Sequence, residues 1–95
     1  MTPFQAPLED ILFCLKEVAG ADRLPDWDDE LAEGILSHFA SFAEGVIAPL
    51  DEPGDARGCA LVEGRVTMPD GFKDAFAQLA DGGWQGLTAP EAFGG

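Results

Sequence analysis

One histidine, two cysteines and a surplus of carboxylates are the groups among these 95 residues that could move a proton, hold a metal or form a covalent bond. His38 is the natural first choice for acid–base work at neutral pH, and Ser37 and Ser41 stand close to it in the sequence. Nucleophilic catalysis also needs the base to be oriented by a third group, and no triad-like pattern of residue types surrounds this histidine. It is read as the flank of a helix and assigned no catalysis. Cys14 and Cys59 are too widely separated for a zinc pair and belong to no CxxC motif. Two free thiols are predicted, with Cys14 half-buried and inert beside an apolar stripe. Asp51, Glu52 and Asp55 invite a calcium reading, yet Val62 stands where an EF-hand loop would close with glutamate. Gly82-Gly83 and Gly94-Gly95 match neither GxGxxG nor a P-loop, so they predict no phosphate cradle. The expected set of catalytic, cofactor-binding and metal-ligating residues is therefore empty.

The 18 Asp and Glu against 5 Lys and Arg give a formal net charge of −13. Such a balance repels phosphate backbones and anionic lipid surfaces, so nucleic acid is not an expected partner. The acidity reads as a well-solvated surface that favours solubility. Hydrophobic residues at 46% and charged residues at 24% are ordinary globular usage and predict folding despite 12 glycines and 7 prolines. A chain this short hides only about 60–65% of the surface its unfolded form exposes, so stability is expected to be thin. No apolar run approaches the roughly 20 residues that a membrane span requires, and the opening residues lack the order of a signal peptide. The expected location is the cytoplasm.

Helices must position whatever these residues do. Leu8, Ile11, Leu12, Leu15 and Val18 recur at helical spacing, with Pro7 suited to a first turn and Gly20 placed where a helix stops, so a helix is predicted from about Pro7 to Ala19. A connector follows to Trp27. Leu31, Ile35, Phe39, Phe42 and Val46 then form the stripe of a long second helix. Asp26, Asp28, Asp29, Glu30 and Glu33 crowd its start, where the helix dipole favours negative charge. Pro49 ends it near Ile47 or Ala48. Leu50 to Cys59 reads as a loop, and Ala60 to Thr67 as either a small hairpin about Glu63-Gly64 or an extended stretch. Pro69 and Asp70 offer a start signal for a third helix whose stripe is Phe72, Ala75, Phe76, Leu79 and Ala80, ending at Gly82-Gly83. Trp84, Leu87 and Phe93 follow without a period. The predicted fold class is all-α, a small incomplete helical bundle of about three main helices.

Four stretches, in order, resemble the start of the acyl-CoA dehydrogenase family, in particular the 3-methylmercaptopropionyl-CoA dehydrogenase-like group that carries an extra N-terminal segment. Ala6-Pro7-Leu8-Glu9-Asp10 with Phe13, Leu15 and Val18 is similar to the extension, although Phe4 stands where Tyr is common. Phe42-Ala43-Glu44 through Ala48-Pro49-Leu50, with Asp55 and Gly58, is similar to the end of a family helix and its loop. Gly64-Arg65-Val66 with Pro69-Asp70-Gly71-Phe72-Lys73 resembles the next block, and Gly83-Trp84-Gln85-Gly86-Leu87 leading to Phe93-Gly94-Gly95 the one after it. On this resemblance residues 1–27 are the N-terminal extension, a helix plus connector, and residues 28–95 the first part of the family's N-terminal helical domain.

The resemblance implies an FAD-dependent oxidoreductase that introduces an α,β double bond into an acyl-CoA thioester, a carboxylate taking the α proton and the flavin accepting hydride. In this family a later β-domain and a C-terminal helical bundle hold the flavin and bring the catalytic glutamate, so no residue here inherits those roles. The isolated 95 residues are accordingly expected to be inactive and to bind no FAD. The implied partners are the remaining domains or chain of such an enzyme, acyl-CoA through the complete enzyme, and further copies in a homo-oligomer. The segment would pack against the catalytic domains and help wall the acyl-CoA cleft. The alternative is a standalone acidic helical module that docks on another protein without redox activity.

Overall fold

The computed structural model describes residues 3–95. The chain divides into two units, Met1–Ala48 and Pro49–Gly95. Helix dominates the described residues and the one sheet is a two-stranded hairpin, in agreement with the all-α expectation.

In the first unit, α1 covers Leu8–Phe13 and runs on as a π-helical turn, Cys14–Val18. Gly20 then leaves the helical region, as its position predicted. A π turn bonds five residues apart instead of four, which rotates later side chains off the preceding stripe. Ile11, Leu12 and Leu15 are half-buried, whereas Val18 is 73% exposed. The second helix, α2, covers Asp29–Phe42 and continues as another π turn, Ala43–Ile47. Asp28 caps it, its carboxylate accepting a 3.0 Å hydrogen bond from the Leu31 N–H. Asp29 and Glu30 add negative charge where unpaired N–H groups point outward. Ile35, Phe39, Phe42 and Val46 are half-buried along the predicted stripe, and the Phe39 and Phe42 rings lie 5.9 Å apart. Leu31 is exposed, and the one hydrophobic residue fully buried among those described is Ala40, which sequence periodicity passed over. The π turn ends at Ile47, but Ala48 before Pro49 keeps helical angles (φ −57°, ψ −39°) and a 3₁₀ turn, Ala48–Leu50, follows, so the proline changes the hydrogen-bond pattern without pushing its predecessor out of the helical region as expected.

In the second unit the loop expected from Leu50 to Cys59 is corrected: Asp51–Arg57 forms a helix, α3. Pro53 falls in its first turn, where a missing N–H costs no intrahelical bond. Asp51 and Glu52 lie at its positive end and Arg57 at its negative end, and Gly58 breaks it. Next, β1 (Ala60–Val62) and β2 (Arg65–Thr67) pair antiparallel with Leu61 opposite Val66. Glu63 and Gly64 both have positive φ, 51° and 80°, the signature of the type I′ turn that matches strand twist. Of the two readings for this stretch, the hairpin is therefore the one realised.

The last helix, α4, covers Phe72–Asp81. Its start differs from the expected signal, because Gly71 is the capping position and no side chain caps it. Asp70 instead meets the Arg57 guanidinium at 3.1 Å, an exposed pair that ties α3 to the approach to α4. Phe72, Ala75, Leu79 and Ala80 are half-buried, while Phe76 turns outward. The segment after Gly83, expected to follow without a period, winds into two 3₁₀ turns, Trp84–Gly86 and Glu91–Phe93.

Candidate functional site

The structure brings the candidate chemical groups into no shared constellation among the described residues. His38 lies on an exposed side of α2. Beside it the Ser41 hydroxyl donates to the Ser37 carbonyl oxygen at 3.3 Å, so that proton serves the helix backbone. Asp51 and Glu52 belong to the first turn of α3, where the helix dipole favours negative charge, which accounts for the presence of acidic residues there. No group of three or more His, Cys, Asp or Glu among the described residues could hold a metal ion.

The cysteines need one correction. Cys14, expected to be half-buried, is exposed. It opens the π turn and sits on the flank of α1 with the exposed Phe13, while the half-buried residues of that helix are Leu8, Ile11 and Leu12. Cys59 is also exposed, and its thiol donates to the Met68 thioether at 3.6 Å across the base of the hairpin.

One polar cluster escaped the sequence reading. Asp29 Oδ1 accepts a 2.6 Å hydrogen bond from Trp27 Nε1–H and lies 3.2 Å from Lys16 Nζ. One carboxylate thus ties the π turn after α1 to the start of α2. The indole hydrogen bond first, and then the lysine, hold the Asp29 carboxyl below its ordinary value. Periodicity could not pair Lys16 with Asp29, since they lie on different helices. A group whose folded-state pKa is depressed contributes stability above its unfolded value and loses it as pH falls through the folded value. Acidification below the ordinary aspartate range is therefore expected to loosen this tie. In a Trp84→Phe background, an acid titration of Trp27 fluorescence should show a transition that Asp29→Asn removes. An identical titration in the Asn variant would refute the assignment.

What the described residues do offer is apolar surface. Val66, Met68, Pro69, Phe72 and Phe76 line a shallow groove in the second unit, with Asp70 and Lys73 as its charged members. No helix among the described residues is long and apolar enough to cross a membrane.

The described residues offer helices, a hairpin and apolar faces, and it is the sequence relatives that point to a class of protein. The chain is similar to two acyl-CoA dehydrogenases. It is 36% identical over 98 residues to 3-methylmercaptopropionyl-CoA dehydrogenase of Ruegeria pomeroyi, a match covering 97% of this chain and 17% of that protein. To the broad-specificity linear acyl-CoA dehydrogenase FadE5 of Mycobacterium tuberculosis it is 28% identical over 104 residues, covering 100% of this chain and 17% of that protein. The chain thus spans about one sixth of the length of the curated relatives it matches. No family model matches it.

Proposed function

We propose that this chain supplies the N-terminal helical portion of an FAD-dependent acyl-CoA dehydrogenase, packing against the catalytic domains and helping to wall the acyl-CoA cleft. The observation that carries the reading is the similarity to two acyl-CoA dehydrogenases along essentially the whole chain. Exposed apolar side chains in both units, among them Phe13 and Leu31 in the first and Leu61 and Phe76 in the second, support a role in packing. Residues 1–27 act as an N-terminal extension and residues 28–95 as the first part of the helical domain. The parent enzyme is cytoplasmic and homo-oligomeric, and it removes hydrogens from the α and β carbons of an acyl-CoA thioester. Its flavin and catalytic glutamate come from outside these 95 residues, so the chain contributes walls and support to the reaction, and no catalytic residue.

Two measurements test this. The purified 95-residue chain should show no flavin absorbance and no acyl-CoA-dependent reduction of a dye acceptor. A chimera of the Ruegeria pomeroyi relative, with its matching segment replaced by these residues, should bind flavin and oxidise that enzyme's acyl-CoA, whereas the relative lacking the segment should not. A deletion as active as the chimera would remove the proposed role. Flavin binding or oxidation by the isolated chain would contradict its non-catalytic part.

A further inference from the structure

The apolar surface of the second unit gathers on one side. In the hairpin, Leu61 and Val66 stand directly opposite each other. Strand side chains alternate between faces, so Cys59 and Met68, two positions further along, fall on the same face. The 3.6 Å contact between their sulfurs agrees with that placement. Val66 and Met68 in turn line the groove with Pro69, Phe72 and Phe76, so the hairpin and α4 present a continuous apolar face. Leu61, Val66 and Phe76 are 75%, 68% and 71% exposed. Adjacent large apolar side chains left in water to this degree mark an interaction surface.

We infer that this face is where the flavin-bearing remainder of an acyl-CoA dehydrogenase docks, an inference that rests on the function proposed above. Two observations select this occupant. The matched residues make up 17% of each relative, so most of each relative's own chain lies outside them and must pack on something. A second copy of this chain is a poor occupant, because each copy carries a net charge of −13 and the two would repel. An apolar face with few charges of its own suits a tightly packed contact within one enzyme.

Cys59 makes the docking measurable, because its thiol lies on the face itself. In the isolated chain it should react readily with maleimide, and in the native chimera described above its labelling, followed by peptide mass spectrometry, should slow by about tenfold or more. Leu61→Glu, Val66→Glu and Phe76→Glu place a charge on the face. Each should leave the circular dichroism and urea midpoint of the isolated chain unchanged. In the chimera each should cut the flavin-loaded fraction by about tenfold, the scale of losing one central interface residue. If the chimera binds flavin and oxidises acyl-CoA while Cys59 labels at its isolated-chain rate and the Glu variants have no effect, the docking face is wrong and the proposed function stands. A chimera that carries no flavin and no activity overturns the proposed function and this inference with it.

Discussion

Gly71→Ala should lower the stability of the second unit by about 1–3 kcal/mol, the cost of holding a non-glycine residue in the left-handed region. Gly71 has φ of 89° at the capping position of α4, and no side chain there offers a compensating hydrogen bond. A Cβ at this site would also come within 2.7 Å of Leu50 Cδ2. Leu50 has a flexible end and can yield, so the backbone term dominates. Urea unfolding followed through Trp84, in a Trp27→Phe background, reads the effect as a lower midpoint with an unchanged slope. The same midpoint in the alanine variant would show that α4 can begin from an ordinary backbone conformation.

How far the sequence foretold this molecule depended on whether an element announced itself by an apolar period. The stripes from Leu8 and from Phe72 located α1 and α4, and the stripe from Leu31 followed α2 through its π turn to Ile47. The hairpin was legible through turn chemistry at Glu63-Gly64, although composition alone could not separate it from an extended stretch. By contrast α3 has Pro53, Gly54 and Ala56 as its uncharged residues and no stripe at all, so the period was silent. Its signals were of another kind: acids at the start, proline in the first turn, Arg57 at the end and Gly58 beyond. The same limit hid the Lys16–Asp29–Trp27 cluster and the continuous apolar face, since both depend on pairings between elements. The similarity to acyl-CoA dehydrogenases was readable in four ordered stretches, because local motifs keep their order and spacing along the chain without needing any pairing between elements.

The most diagnostic change for the packing of the second unit is Gly54→Ala, because its sign is reversed from the usual one. Inside a helix, alanine is favoured over glycine by about 0.8–1.0 kcal/mol. Gly54 is buried within α3, however, and a Cβ there would lie 2.6 Å from Cζ of Phe72 at the start of α4. The ring must then swing away from the helix it covers, and overpacking of this kind costs about 1–3 kcal/mol. The net expectation is destabilisation by roughly 1–2 kcal/mol. A double-mutant cycle isolates the cause. In a Phe72→Ala background the obstruction is gone, so Gly54→Ala should regain its helix-favouring effect and stabilise the protein. The two substitutions should couple strongly, as residues in direct contact do. Destabilisation by Gly54→Ala that persists unchanged without the Phe72 ring would mean that something other than this contact fixes glycine at the site. If the cycle behaves as expected, a bare backbone beneath an aromatic ring is what joins α3 to α4, and it explains why a helix without an apolar stripe is nevertheless part of the fold.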